Sequence, residues 1–412
     1  MKKEMYSSEV TLLRDTFRRL LRRHAKTNIV KLIDKTHPSD LALIFRHFND
    51  TEQDSIFSNM SASEETVKFL YELDESIATR LIENETPERL AEIMEQASSN
   101  EQAFLMGLVN DQFASSVIDL LQAEEQEELE EMMAYPEDSA GILMYTDVFT
   151  LHEETKAREA IYALQDQEEA EMVFYLYTLD DDGRLTGVIS LRDLVTTPSD
   201  TMLKDIMSKN IQVVRPETDQ EEVARIVSQY NFLAVPVVDA NEKLLGIVTV
   251  DNVVDVIREE ATEDFLQLAG AGKDREILLK SSWENARIRL PWLFASWVGG
   301  ILAAFIIGIY NNILENAIAL AAFIPVIIGM GGNVGTQSST MIVRGLATGR
   351  VSFENSMKVL FKEMRVGLIL GTLYGILLGI FAIFQFIDAS PLLGVVVGLS
   401  ICISMILAAT IG

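Results

Sequence analysis

Five of the six carboxylates between residues 251 and 264 are spaced for one kind of chemistry. Asp251 and Asp255, Glu260 and Asp264, and Glu260 and Glu263 stand three or four residues apart, which on a helix puts each pair on a shared face. Like charges so placed cost an isolated helix stability, so either a divalent cation or a solvated face must compensate them. One cysteine, Cys402, and four histidines exclude a disulfide framework and argue against a zinc site of soft or imidazole ligands. Any metal here is an oxygen-loving one. A second polar cluster, Gly329 to Thr340, interrupts an apolar run. Oxygens of Asn333, Thr336, Gln337 and Ser338 would suit a hydrated hard cation. Close helix packing accounts for the glycines alone and leaves Asn333 and Gln337 unexplained.

The elements that position these groups divide the chain by charge. Residues 1–290 hold 29 Lys+Arg against 58 Asp+Glu, and residues 291–412 hold 5 against 4. Four stretches, 291–310, 317–343, 366–387 and 389–412, are apolar over the length a bilayer crossing needs and contain no charged residue. Lys280, Arg287 and Arg289 precede the first, and Arg344, Arg350, Lys358, Lys362 and Arg365 fall between the second and third. The positive-inside rule then places the N-terminal part and the second connector in the cytoplasm of a multi-pass protein of the cell membrane. Residues 1–11 lack the apolar core of a cleaved signal. So acidic a surface repels nucleic acid and attracts divalent cations.

Residues 173–195 align without gaps, 59 positions on, with residues 232–254, each copy reading strand, Asp-rich turn, strand closing on Gly-Val-Ile-Ser or Gly-Ile-Val-Thr, then helix. The segments starting at Leu143 and Ile206 open the copies. The pair resembles tandem cystathionine-beta-synthase-type (CBS) domains, a module that often binds adenine nucleotides such as ATP and also serves as a dimerisation unit. The resemblance implies nucleotide contacts from Ser190 and Asp193, with Arg192 beside them. The second copy has Thr249 but Asn252 at the aspartate position. Before the repeat, residues 1–135 show helical periodicity, and residues 50–138 carry 24 Asp+Glu against 3 Lys+Arg. After Gly270 to Gly272, residues 274–290 read as an amphipathic helix leading to the first span.

This order of parts resembles the MgtE magnesium channels, most sharply in Tyr135 to Gly141, Glu260 to Asp264, and Pro325 to Ser338. The fold class implied is a multidomain membrane protein: an all-α N-terminal domain (1–135), an α+β CBS pair (136–200 and 201–264), a linking helix (265–290) and an α-helical membrane domain (291–412). The family's homodimers have five spans per subunit, so the resemblance implies a fifth span beyond Gly412. It also implies a Mg2+ import channel that closes when cytosolic Mg2+ bridges acidic residues, here Glu64, Glu92, Glu221, Asp251, Asp255, Glu260, Glu263 and Asp264 with a backbone oxygen at Gly141. Asn231 and Asn252 stand where the family has aspartates. The pore residues implied are Asn333 first, with Gly332, Gly335 and Gln337. Two rival readings are a membrane-anchored sensor without transport, which needs no polar run in a span, and a CBS-bearing transporter of another ion. No nucleophile, metalloprotease or phosphate-loop signature points to an enzyme.

Overall fold

The computed structural model describes residues 2–166, 174–272, 280–310, 318–347, 351, 356–386 and 392–412. The connector at 311–316, Arg350, and parts of the expected linking helix (273–279) and fourth span (389–391) lie outside the described residues. The chain forms two compact units, 1–260 and 261–412.

The first unit opens with short helices: α1 (Lys2–Arg22), α2 (Lys26–Ile33), α3 (Pro38–Phe45), α4 (Asp50–Phe57), α5 (Glu64–Tyr71), α6 (Glu75–Glu83), α7 (Pro87–Met94), α8 (Ser99–Gly107), α9 (Asp111–Ile118) and α10 (Ala123–Met133). Helices of two or three turns need their ends satisfied, and the sequence supplies the caps. Asn49 and Glu52 close a capping box on α4, Thr86 caps α7 with Pro87 behind it, and Ser98 and Glu101 box α8. Phe17, Phe45, Phe57, Phe69 and their aliphatic neighbours form the core beneath. The few cations fasten helices together. Arg80 reaches Asp54 at 2.5 Å, Arg46 reaches Asp74 at 2.7 Å, and Arg89 bonds Glu85 and the carbonyls of Phe57 and Met60 at 3.0–3.1 Å.

The repeat follows: α11 (Ala140–Leu143), β1 (Thr150–His152), α12 (Ala157–Gln165), β2 (Tyr175–Leu179), β3 (Leu185–Ser190), α13 (Leu191–Thr196), α14 (Gln220–Tyr230), β4 (Ala234–Val238), β5 (Leu244–Thr249) and α15 (Val250–Leu268). Strands β2–β3 and β4–β5 pair antiparallel, and β1 runs parallel to β2. The two Asp-rich turns match atom for atom. Asp180 Oδ1 accepts from the Asp182 and Arg184 amides at 2.9 and 2.8 Å, and Asp239 Oδ1 accepts from those of Asn241 and Lys243 at 2.8 Å. These amide donors hold both carboxyls below their ordinary range.

Each copy lends its opening segment to the other. Tyr145 exchanges two backbone hydrogen bonds with Ile247, both 2.8 Å, and Ser208 exchanges two with Val188, 2.9 and 3.1 Å. Met207 thereby enters the core of the first copy, and Met144 that of the second. Gly187 and Gly246, 59 residues apart, lie where these segments cross. A Cβ on Gly246 would meet the Tyr145 carbonyl oxygen at 2.5 Å, and one on Gly187 would press on the Met207 side chain as far back as its Cβ, at 2.7 Å. Gly246→Ala and Gly187→Ala are therefore each expected to cost about 2 kcal/mol in urea unfolding of residues 1–290. A much smaller loss at either position would show that the crossing segment there shifts without strain.

In the second unit α16 (Ser282–Ile309), α17 (Ile318–Ala321), α18 (Ile324–Ala347), α19 (Ser356–Gln385) and α20 (Leu392–Ile411) supply four helices long and apolar enough to cross a membrane. Residues 282–290 belong to the same helix as the first span, with Pro291 inside α16 without ending it, and α15 runs on to Leu268. The third span's helix reaches back to Ser356 and so includes Glu363. Glycines set the packing of α19 on α20: Gly375 lies against Gly398, and Gly379 against Gly394, at distances a methyl group would not allow.

Candidate functional site

In the first unit the segment 138–141 is zippered to the entry of α14. Ala140 N–H donates to the Thr218 carbonyl at 2.8 Å, Gly141 N–H to that of Pro216 at 2.9 Å, and Gln220 N–H to that of Asp138 at 2.9 Å. The zipper needs Gly141, whose Cβ would run into the Tyr135 ring. Gln220, only 5% exposed, then donates its amide to Glu260 Oε1 at 2.7 Å and to Asp138 Oδ1 at 3.4 Å. Two sequence-distant acidic residues, Asp138 and Glu260, meet at this one neutral donor, and Glu221 follows Gln220 in the first turn of α14. Sequence reasoning missed Gln220; a glutamine at the first position of a helix carries no pattern of its own.

A second gathering forms where α5 meets α15. Asp255 is half-buried, its carboxyl raised above the ordinary value of 3.8 by burial first and then by the charge of Glu72, with Asp251 adding to this and Arg258, 3.5 Å away, opposing it. Tyr71, on the same end of α5, packs on Phe104 with ring centroids 4.8 Å apart. Burial, then the charges of Glu259 and Asp255 among others, push its phenol far above the usual range. Glu72, Tyr71 and Glu259 were absent from the expected ligand set.

The other expected ligands are more scattered. Glu64 pairs with Lys68 on its own helix, and Glu92 and Asp251 are exposed on α7 and α15. Glu263 accepts from Gln267 at 2.8 Å, one turn along α15, and Asp264 follows it. Among the described residues no three His, Cys, Asp or Glu side chains converge to hold a bare ion. Mg2+ keeps several of its waters and binds through one or two carboxylates, so pairs such as Asp255 with Glu72, or Asp138 with Glu260, suit it where a cage would not.

The two departures from the family pattern have local explanations. Asn231 ends α14 in the left-handed conformation, φ 54°, a position asparagine favours. Asn252, buried, donates Nδ2 to the Leu143 carbonyl at 3.0 Å, which an aspartate could not do. In the CBS pair Ser190 Oγ caps α13, accepting from Asp193 N–H at 3.1 Å and donating to its carboxylate at 2.7 Å, with Arg192 exposed beside them. Its counterpart Thr249 is 1% exposed, so the second copy offers no open surface there.

In the second unit the Gly329 to Thr340 run is helical throughout. Pro325 sits at the second position of α18, where its missing N–H costs nothing. Gly331, Val334 and Ser338 are buried; Gly332, Asn333, Thr336, Gln337 and Thr340 are exposed over an arc of about 140°. Gly335, of the expected pore set, lies on the packed side, where a Cβ would stand 3.5 Å from the Ala408 carbonyl oxygen. A polar stripe along a span cannot face hydrocarbon, and it suits an aqueous path or another polar surface.

Comparison with known proteins follows the same division. Residues 324–412 match a family described as a divalent cation transporter (MgtE), residues 36–138 the MgtE intracellular N domain, and residues 140–200 and 203–259 the CBS domain. The magnesium transporter MgtE of Bacillus subtilis is 30% identical over 382 residues, 92% of this chain and 84% of that protein. Those of Thermus thermophilus (39% over 298 residues) and Enterococcus faecalis (38% over 255) match 71% and 62% of this chain, and this chain covers 65% and 56% of their length. Two crystal structures resemble it over nearly their whole length (99%): the soluble part of a magnesium transporter (27% identity, TM-score 0.55, 61% of this chain), and the cytosolic domain of the Mg2+ channel MgtE in complex with ATP (31%, 0.56, 59%).

The raised Asp255 carboxyl fixes a sign. A group whose pKa rises on folding stabilises the fold while protonated; that contribution is present below its ordinary pKa and is lost as the pH climbs through the raised value. Once ionised, Asp255 opposes Glu72 and Asp251. Asp255→Asn is expected to raise the Tm of residues 1–290 in chelator at neutral pH and to shrink the gain that Mg2+ brings, both read by scanning calorimetry. A lowered Tm would mean that Arg258 holds Asp255 more strongly than Glu72 repels it.

Proposed function

This chain belongs to the MgtE family of divalent cation transporters, and from that premise we propose that it is a Mg2+ channel of the cell membrane, working as a homodimer and closed by cytosolic Mg2+. It is a membrane protein whose first 260 residues correspond to domains solved as soluble and cytosolic parts of its relatives. The observation that carries the channel reading is the uncovered polar face of α18. A span that packs with Gly331, Val334 and Ser338 while leaving Asn333, Thr336, Gln337 and Thr340 open is built to line water. Asn333 and Gln337 offer amide oxygens to the water shell of a passing Mg2+, and Gly332 between the stripes keeps the wall low.

Gating is read from the carboxylates. Glu72 and Asp251 repel Asp255, and Asp138 and Glu260 share the Gln220 amide, on surfaces held together by a shared apolar core. With hydrated Mg2+ between them the same groups attract, and the unit tightens. Glu64, Glu92, Glu263, Asp264 and the Gly141 carbonyl extend the set. Loosening at low Mg2+ is passed along α15 and the helix that contains the first span. Millimolar affinity follows from outer-shell contacts with one or two carboxylates. At the CBS pair, Ser190, Asp193 and exposed Arg192 fit the ribose and phosphates of ATP, provided Ser190 exchanges its bond to Asp193 for one to the nucleotide.

Two experiments test this reading. Millimolar Mg2+, against K+ at matched ionic strength, is expected to protect residues 1–290 from limited proteolysis, and the protection to vanish when Asp255, Glu260 and Glu263 are all changed to alanine. Cleavage indifferent to Mg2+ would remove the bridging mechanism. In proteoliposomes loaded with a Mg2+-sensitive dye, Asn333→Ala is expected to reduce Mg2+ entry about tenfold without changing the yield of folded protein. Unchanged entry would take the polar face of α18 out of the path.

A further inference from the structure

Among the described residues from 291 onward Glu363 is the only carboxylate, and it is turned inward. It is 6% exposed, and Ser338, itself 4% exposed, donates its hydroxyl to Glu363 Oε2 at 3.0 Å. The cations of the same region, Arg344, Lys358, Lys362 and Arg365, are all exposed, and the partner the described residues give Glu363 is the Ser338 hydroxyl. Glu363 heads a row of buried positions four residues apart whose next members are Gly367, Gly371, Gly375 and Gly379. Every later member of that row is reduced to a hydrogen so that α20 can approach. An acidic side chain of five heavy atoms at its head is not there for packing.

An ionised carboxylate so buried is costly unless a positive charge compensates it, and the single hydrogen bond from Ser338 does not supply one. Ser338 lies one residue from Gln337 on α18, at the edge of the polar stripe. We propose that Glu363 and Ser338 form a divalent-cation site in the membrane unit, in which the carboxylate supplies the charge that the uncharged polar face of α18 lacks. The ligand is a small, hard divalent cation that keeps most of its water: one carboxylate and one hydroxyl accept hydrogen bonds from that water, and no cage is needed. The proposal rests on the transport reading only for the cation's identity.

The test reads Glu363 directly. The full chain in detergent is treated with dicyclohexylcarbodiimide, which adds to buried carboxyl groups, and the modified peptide is quantified by mass spectrometry. Millimolar Mg2+ is expected to lower modification of Glu363 about fivefold relative to K+ at matched ionic strength. Ser338→Ala, which leaves the carboxylate in place, is expected to raise the Mg2+ concentration giving half-protection. Modification unaffected by Mg2+, including none in either condition, would overturn the proposal and mark Glu363 as a carboxyl kept neutral or sealed off. Proteoliposome flux separates this from the channel reading. Glu363→Gln is expected to lower Mg2+ entry most at low Mg2+, with Glu363→Asp recovering part of it. If the unsubstituted chain passes no Mg2+ while Mg2+ still protects Glu363, the site stands and the channel reading falls.

Discussion

Negative charge held together against its own repulsion is the constraint on which the cytosolic unit depends. Two unit charges 4 Å apart repel by about 1 kcal/mol in water and about 4 kcal/mol near a protein surface of lower effective dielectric. The 24 acidic residues of 50–138 face three cations, and Lys68, Arg80 and Arg89 are each engaged in local ties. What keeps the acidic faces close is apolar. One continuous core runs from Phe17 through Ala140 and Met144 to Val256, uniting the helical domain with the second CBS copy. The core fixes the distance and the carboxylates resist it, so the unit sits where modest changes in screening shift its balance.

The membrane unit solves an opposite problem. Helices there gain little from apolar burial, and close approach must come from small residues. The glycines of α19 and α20 provide it, and Gly331, Gly335 and Ser339 bring α18 against α20, with Ser339 donating to the Gly412 carbonyl at 2.7 Å. At the opposite end Phe323 packs on Phe381 and Phe386. Held by Phe323 at its start and by Gly331, Gly335 and Ser339 along its middle, α18 has a fixed rotation. The direction in which Asn333 and Gln337 look is therefore a result of packing elsewhere on the helix.

Much of this was legible in the sequence. The 59-residue repeat gave both hairpins and both Asp turns, because hydrogen bonds within a turn are local and written in consecutive residues. The helical character of residues 1–135 and the four apolar helices followed from periodicity and length. Three things were not legible. The exchange of Tyr145 and Ser208 between copies is a long-range pairing that local pattern does not encode. Glu363 escaped because it lies among Lys358, Lys362 and Arg365, where a window of hydropathy reads a cytosolic connector and cannot see which residue turns inward. Glu72 and Gln220 became part of the candidate site only through the docking of helices far apart in the chain.

The exchanged opening segments also bear on how this protein can be divided. A chain cut between the two repeats, near residue 201, would leave each half with the strand edge its partner had covered and with a methionine, Met144 or Met207, that belongs in the other half's core. The repeat is thus two copies in sequence but one unit in folding. A gene duplication whose products trade their first segments can no longer be undone by recombination at the boundary between them. Insertions are easier to absorb at the exposed tips of the Asp turns, away from the crossing points at Gly187 and Gly246.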